Sequence, residues 1–290
     1  MRKTVLVLLV LAMALLPVLP SAAEMYFDRE PPAEWAERED VMRLTSFATV
    51  SNDCTLLEVG GKSMLIDGGT YKWMEKVRKA LADMGHDGFV NVLFNTHPHK
   101  DHLEAVTYMV REGFQADEFW SRYPEDFNDE DGNNKKAAKF LRGAEIPYRL
   151  LEQGETVDFG GAKMTFFWNE NGDLNATSAM THITFGSCTV LMTADVTGKS
   201  QRELLKQVGP ELLKADILKF PHHGITPCVT EFLDAVNPSF IFVTNRLSST
   251  PQATEQMQNR KIRFCNSSRG RVVMVTDGTD WYIIQYMDQF

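Results

Sequence analysis

The stretch His97-Pro98-His99-Lys100-Asp101-His102 contains three imidazoles and one carboxylate within six residues. Neutral imidazole and carboxylate are good ligands for zinc and for manganese or iron. Residues 90–94, apolar except for Asn91, precede the stretch and predict a short strand. On leaving that strand, alternate residues His97 and His99 can face one ion. Asp101 and His102 turn with the chain toward a second. This density of ligand-type residues predicts a metal site.

The segments before this stretch predict where the site lies in the fold. Residues 54–59 and 62–66 have strand character and are separated by the turn Gly60-Gly61. Residues 71–84 have apolar positions at helical spacing and end at a glycine, which predicts an amphipathic helix. A polar loop at the carboxyl end of the next strand is where α/β sheets carry their sites.

A second series of strands and helices follows a polar stretch at residues 121–136, which is interpreted as a solvated loop or as a lid. The predicted strands of this series are residues 155–159, 163–168, 179–185, 189–193, 216–220 and 240–244, and the predicted helices are residues 200–208 and 230–235. A final hairpin is predicted at residues 271–275 and 281–285. Without repeats or low-complexity linkers, residues 41–290 are predicted to form one domain.

The first 40 residues differ from the rest. Arg2 and Lys3 precede an almost wholly apolar run at residues 5–16, and small residues follow at 21–23. This order is typical of a secretory signal peptide at residues 1–23, and the apolar run is short of the roughly 20 residues that a membrane span needs. Residues 24–40 are predicted to be an N-terminal arm or a short linker. The protein is therefore expected to be secreted or periplasmic, without a stable membrane span after cleavage.

The charge of the chain limits its partners. Removal of residues 1–23 takes away two basic residues and no acid, which lowers the formal charge from −9 to −11. Such an acidic protein is a poor binder of long nucleic acid. A small-molecule or cell-envelope substrate is expected instead, and the oligomeric state is left open.

The four cysteines are Cys54, Cys188, Cys228 and Cys265, and none forms a C-x-x-C pair. A zinc site built from thiolates is therefore not expected. In an exported protein, up to two disulfides or four buried thiols are both compatible with the sequence.

Four motifs resemble those of the metallo-β-lactamase superfamily. His97-x-His99-x-Asp101-His102 is similar to the signature motif, and residues 65–69 (Leu-Ile-Asp-Gly-Gly) are similar to the segment before it. Residues 191–195 (Leu-Met-Thr-Ala-Asp) and 219–224 (Lys-Phe-Pro-His-His-Gly) resemble the later metal-ligand segments. The order and spacing are most similar to the metal-dependent domain of bacterial DNA-uptake (competence) proteins. The resemblance implies an α/β fold, the four-layer αββα sandwich.

The resemblance also implies two metal positions that share a bridging carboxylate from Asp195. The residues that it assigns are His97 and His99 at the first position and Asp101, His102 and His222 at the second. His222 is preferred to His223 because related members with His-x-Gly at this place use the first residue. His223 is then a candidate to contact substrate or to donate a proton. One or two divalent ions are expected, with zinc favoured over manganese or iron.

The sequence departs from the family pattern at the first metal position. Many members supply another histidine before the bridging Asp, but residues 175–178 read Asn-Ala-Thr-Ser here, as they similarly do in the DNA-uptake branch. His182 lies inside a predicted strand and is interpreted as structural. The first position is therefore expected to be weak, completed by water, or empty. Glu104 also stands where small glycines are usual, and it would narrow the pocket or act as an extra acid.

The resemblance and the ligands together predict a metallohydrolase that uses metal-bound hydroxide. Asp101 is the best candidate to orient the attacking water, and His223 and Lys100 are candidates to contact the leaving group or an anionic substrate. A phosphodiester or other phosphoester is the favoured substrate. The alternatives are hydrolysis of a lactone, thioester or β-lactam, and a non-catalytic protein that binds metal or ligand.

Overall fold

The computed structural model describes residues 23–287, so the predicted signal peptide lies almost entirely outside the described residues. In chain order the strands are β1 (Met25–Phe27), β2 (Met42–Ser46), β3 (Thr55–Val59), β4 (Lys62–Ile66), β5 (Phe89–Asn95), β6 (Gln115–Ser121), β7 (Tyr148–Leu150), β8 (Thr156–Phe159), β9 (Ala162–Phe167), β10 (Met180–Phe185), β11 (Cys188–Met192), β12 (Ile217–Lys219), β13 (Phe240–Val243), β14 (Arg263–Asn266), β15 (Val272–Thr276) and β16 (Trp281–Gln285). The α-helices are α1 (Met74–Asp83), α2 (Lys100–Arg111), α3 (Asn133–Gly143), α4 (Gly198–Val208), α5 (Thr230–Val236) and α6 (Pro251–Asn259).

These strands form two mixed sheets. The first has nine strands in the order β1-β16-β15-β2-β3-β4-β5-β6-β7, and the second has seven in the order β14-β13-β12-β11-β10-β9-β8. The strands predicted from the sequence are all present, and the final hairpin is confirmed as β15 paired antiparallel with β16.

The alternation of side chains along the strands explains why the sheets pack face to face. In β4, Met64 and Ile66 lie in a core between the two sheets, whereas Leu65 faces a second core under the helices. In β12, Ile217 likewise joins the core between the sheets and Leu218 joins a third core. Side chains of a strand point alternately to opposite faces, so each sheet is apolar on both faces and is covered on both.

The helices cover the outer faces of both sheets. In α1, Met74, Val77 and Leu81 are buried at helical spacing and pack on the first sheet. In α5, Phe232 and Leu233 pack with apolar residues of α4 and α6 on the second sheet. The four layers are therefore helix, sheet, sheet, helix, and the predicted αββα sandwich is confirmed.

Part of the predicted N-terminal arm forms regular secondary structure. Strand β1 pairs parallel with β16 at the edge of the first sheet, and a 3-10 helix follows at Ala33–Glu37, where Trp35 is buried. Within residues 23–287, no helix has the length and apolar character needed to cross a bilayer. All four cysteines are free thiols, three of them buried.

The edge that carries the predicted ligands is formed by strand ends of both sheets. Strands β11 and β12 are parallel neighbours, so their carboxyl ends meet at one edge of the second sheet. The backbone N–H of Ala179 donates to the carbonyl of Thr96 over 3.0 Å, which joins this edge to the end of β5 in the first sheet. Loops from both sheets therefore converge on one place.

Candidate metal centre

The histidine-rich motif spans the end of β5 and the start of α2. His97 and His99 lie in the connection, with His99 as the residue that precedes the helix, and Asp101 and His102 lie in its first turn. Asp101 near a helix N-terminus has a favourable position for a carboxylate. The short connection holds the whole motif against the sheet edge.

Four buried residues from four separate segments form the tightest group. Asp53, His102, Asp195 and His223 each offer one ligand-type atom, and these atoms all lie within 4.8 Å of one another. His102 Nε2 is 3.1 Å and His223 Nε2 is 3.2 Å from Asp195 Oδ2, and His223 Nδ1 is 3.1 Å from Asp53 Oδ1. Two carboxylates and two imidazoles in this arrangement are a suitable ligand set for a divalent ion.

Four histidine side chains lie within 4.0 Å of a single oxygen, Asp195 Oδ2. Besides His102 and His223, the Nε2 atoms of His97 and His222 each lie 4.0 Å from it. The other oxygen of Asp195 is 3.5 Å from Lys219 Nζ. This geometry is consistent with the expected shared role of Asp195.

His97 and His99 form a contact of their own. His97 Nε2 is 3.0 Å from His99 Nδ1, and His97 is fully buried whereas His99 is partly exposed. Asp101 is one-third exposed, with Oδ2 at 3.3 Å from His223 Nε2. Every residue assigned to the metal from the sequence therefore lies at this edge of the sheets.

The two late histidines occupy different surroundings. His223 is buried among Asp53, Asp101 and Asp195, whereas His222 is partly exposed and stays 4.0 Å from Asp195. The tight group thus contains His223, and the sequence preference for His222 at the second position stays a prediction.

Three residues of this centre were missed by sequence reasoning: Asp53, Asp67 as an acidic partner, and Lys219. Asp53 is a single acid with no motif around it. Lys219 did carry a signal, because it is a charged residue inside a predicted strand, between Leu218 and Phe220. It is 1% exposed, pairs with Asp53, and donates to the carbonyl of Ala194 over 2.8 Å.

Asp67 contacts the imidazole of His102 at Nδ1, the ring nitrogen on the side away from Asp195. Its Oδ2 lies 2.8 Å from His102 Nδ1 and accepts a hydrogen bond from Thr96 Oγ1 over 2.7 Å, while its Oδ1 accepts from the Thr96 N–H and from Asn95. Such a carboxylate–histidine contact fixes the tautomer that leaves Nε2 free to ligate. Burial raises the pKa of Asp67, partly offset by the imidazole of His102.

We expect Asp67→Asn to lower metal affinity about 10- to 100-fold, the usual effect of losing a carboxylate behind a ligating imidazole. Asp67 has a φ of +55°, a conformation that asparagine tolerates, so the substitution adds little backbone strain. Competitive titration against a zinc-binding dye measures the affinity. Asp117→Asn is the matched control, since Asp117 also accepts from an asparagine, Asn91, but away from the centre. Equal affinities of both variants would contradict this role.

The electrostatics of the centre favour bound positive charge. Burial alone would lower the pKa of His223, but the carboxylates of Asp195 and Asp53 raise it to about 10. The pKa of His102 is also held well above its ordinary value, because Asp195 and Asp67 outweigh the effect of burial. Burial and the neighbouring His102 instead hold the pKa of His97 well below its ordinary value.

Two atoms of the tight group support a fit to metal. His223 Nε2 and Asp53 Oδ1 are buried and have no partner with hydrogen-bond geometry among the described residues. Buried polar atoms are normally satisfied, and an ion is a common reason for an exception. Imidazole nitrogens and carboxylates are also the ligands that zinc takes in proteins.

The remaining candidates lie outside the ligand group. His182 Nε2 is 2.9 Å from the carbonyl of Lys214, in agreement with a structural role. Lys100 is exposed and lies 3.2 Å from Asp131, and Glu104 accepts from the N–H of Tyr71. Neither contact shows a substrate role.

The polar stretch at residues 121–136 is more ordered than a solvated loop. Asp129 accepts from the N–H groups of Asn133 and Asn134, which begin α3. The Asn133 side chain donates to the carbonyl of Pro98 over 3.0 Å. This segment therefore supports the histidine-rich motif from outside.

An αββα sandwich with Asp and His ligands at its sheet edge defines a class of metal-binding proteins. The family model described as the metallo-beta-lactamase superfamily matches residues 49–235, more than half of the chain and all the predicted ligands. The chain therefore belongs to the metallo-beta-lactamase superfamily, whose members are usually enzymes. No curated protein matches the sequence.

Solved structures share the fold at low sequence identity. The metallo-beta-lactamase fold protein YhfI from Bacillus subtilis has a TM-score of 0.55 and 12% identity, covering 81% of this chain and 100% of its own. CmlA, a diiron beta-hydroxylase from Streptomyces venezuelae, has a TM-score of 0.52 and 16% identity, covering 84% of this chain and 55% of its own. This chain thus spans about half the length of CmlA. At these identities the similarity concerns the fold alone.

Proposed function

We propose that this protein is an exported metal-dependent hydrolase that cleaves a phosphodiester or another phosphoester. One observation carries the hydrolase proposal: four separate segments of the chain bring together a buried group of ligand-type side chains. These are Asp53, His102, Asp195 and His223, and the group includes a residue of the histidine-rich motif. Export rests on the signal-like composition of residues 1–23. Zinc is the favoured ion, with manganese and iron as alternatives.

A divalent ion bound at this centre would lower the pKa of its bound water and polarise the bond under attack. The residues proposed to hold one or two such ions are His97, His99, Asp101, His102 and Asp195, with either His222 or His223. Asp101 is one-third exposed, so its carboxylate can reach both the buried group and an incoming molecule. We assign to it the orientation of the attacking water through acceptance of a hydrogen bond.

His223 is proposed as the partner of Asp101 in proton handling. Its Nε2 is 3.3 Å from Asp101 Oδ2, and its Nδ1 is 2.9 Å from Thr244 Oγ1. These two contacts hold the imidazole ring of His223 between the carboxylate of Asp101 and the residue that follows β13, Thr244. In this position the imidazole can either ligate or hold a proton near the leaving group, the two roles that the sequence left open.

The choice of a phosphoester rests on three features. The ligand motifs resemble the DNA-uptake branch in order and spacing, and placement in that branch is part of this proposal. Residues 175–178 lack the histidine that drug-hydrolysing members usually carry. The charge of −11 without residues 1–23 opposes long nucleic acid, so a small or cell-envelope phosphoester is favoured.

The test is a substrate panel on the purified mature chain loaded with zinc or manganese. We expect turnover of bis-p-nitrophenyl phosphate that is lost with a chelator and restored by the metal. Nitrocefin and a lactone test the carbonyl alternative, and faster turnover of either would contradict the phosphoester proposal. No turnover of all three by the metal-loaded chain would favour the binding-protein alternative.

A further inference from the structure

Two consecutive histidines with left-handed backbone follow β12. His222 has φ +47° and ψ +49°, and His223 has φ +51° and ψ +19°. Such angles are uncommon for residues other than glycine and are kept where the surroundings hold them. The His222 N–H donates to the carbonyl of Ala194 over 3.0 Å, and the Ile225 N–H donates to that of His222 over 2.9 Å. The turn therefore has a fixed shape that points the adjacent side chains into different surroundings.

His223 lies with the ligands of the second position. Its Nε2 is 3.2 Å from Asp195 Oδ2 and 3.3 Å from Asp101 Oδ2, and its ring centroid is 5.2 Å from that of His102. His102 and His223 are thus the two imidazoles nearest to Asp195 Oδ2, at 3.1 and 3.2 Å. A second position made of Asp101, His102 and His223 needs no contribution from His222.

His222 lies beside the segment that lacks the usual third histidine. Its Nε2 is 3.5 Å from Asn175 Nδ2, and the Oδ1 of Asn175 is buried without a hydrogen-bond partner among the described residues. The assignment of O and N in such an amide is interchangeable. His222 Nε2 and His97 Nε2 are each 4.0 Å from the same Asp195 oxygen. His222 Nε2 is therefore as far from that oxygen as the Nε2 of His97, a proposed ligand of the first position.

We infer that the two adjacent histidines divide between two metal positions. His223 serves the second position with Asp101 and His102, and His222 replaces the missing third histidine beside His97 and His99. Asp195 is common to both. This inference rests on the proposed metal-dependent function, and it replaces the expectation of a weak or empty first position with a complete one.

The experiment counts metal ions per chain by elemental analysis after zinc loading and desalting. Glycine is the best replacement at either histidine, because it takes positive φ without strain and offers no side-chain ligand. We expect about two ions in the unmodified chain and about one in His222→Gly and in His223→Gly. The double variant is expected to hold none, because each histidine serves a different ion. His182→Ala, outside the centre, is the control and should retain two.

A second pair of variants gives the same answer without changing both residues of the turn. His97→Ala combined with His222→Gly should hold one ion, because both changes affect one position. His97→Ala combined with His223→Gly should hold none. Near-ultraviolet circular dichroism checks that each variant is folded before its ions are counted.

Three results would overturn the inference: one ion in the unmodified chain, two ions in His222→Gly, or one ion in the double variant His222→Gly/His223→Gly. The count is independent of turnover. Two ions divided as described, without phosphoester hydrolysis, would leave this inference standing and contradict the proposed function.

Discussion

Replacement of Asp195 by Ala is expected to lower turnover of bis-p-nitrophenyl phosphate by about 1,000-fold or more and to release bound metal. Metal ions supply several kcal/mol of transition-state stabilisation, and each 1.4 kcal/mol is tenfold in rate. Asp195 Oδ2 is the atom on which four imidazoles converge, within 3.1 to 4.0 Å. Its loss is therefore expected to affect both of the proposed metal positions, whereas loss of one histidine is expected to affect one.

The control for this prediction is Asp131→Ala, which removes an exposed carboxylate paired with Lys100 at 3.2 Å, next to the ligand motif. We expect its rate and metal content to stay close to those of the unmodified chain. Rates at saturating metal, together with elemental analysis, separate weak metal binding from a slower reaction. An Asp195→Ala variant that keeps its metal and its rate would contradict the central role of this carboxylate.

Replacement of Lys219 by Met is expected to lower the free energy of unfolding of the metal-free protein by about 3–5 kcal/mol. That is the usual result of removing one partner of a buried ion pair, because Asp53 and Asp195 lose a buried counter-charge. Lys219 is 1% exposed, contacts Asp53, and lies 3.5 Å from Asp195 Oδ1. Burial alone would lower the pKa of Lys219, but Asp53 and Asp195 raise it, so the side chain is a cation at neutral pH.

Urea unfolding in the presence of a chelator measures this loss of stability. Lys199→Met is the matched control, since Lys199 is 87% exposed and pairs with Glu203 at 3.8 Å; an exposed pair contributes about 0–1 kcal/mol. The double variant Asp53→Asn/Lys219→Met should recover part of the loss, because it also removes one of the carboxylates that lost this counter-charge. Similar midpoints for Lys219→Met and Lys199→Met would show that the pair is not stabilising.

Most strands were predictable because their apolar residues alternate or run continuously between turn residues. Helix α2 was not predicted, because two residues of its first turn, Asp101 and His102, were interpreted as metal ligands in a loop and not as the start of a helix. Strand β6 was missed because its first half contains Gln115, Asp117 and Glu118, and only Phe119 and Trp120 after them form an apolar pair. In both elements the tertiary environment determines the structure more than local composition does.

The candidate site was predictable only where ligands are dense in sequence. The histidine-rich motif carries its own signal within six residues, but Asp53 has none. The Asp53 N–H donates to the carbonyl of Asp101 over 3.2 Å, a contact between segments separated by the whole of α1 and β5. Lys219 and Asp53 meet in a similar way, through the packing of two sheets. Such pairs follow from the arrangement of the sheets and not from local spacing.

The strand order of the first sheet has a consequence for the way the chain folds. Strands β1 and β2 are close in sequence, yet β15 and β16 lie between them in the sheet. A ribosome makes the chain from its N-terminus. Strand β1 therefore cannot pair with β16, nor β2 with β15, until residues 272–285 have been synthesised. Closure over such separations is slow, and it leaves an open strand edge on every shorter chain. Nascent chains that stop before residue 272 should therefore be substrates for chaperones or proteases.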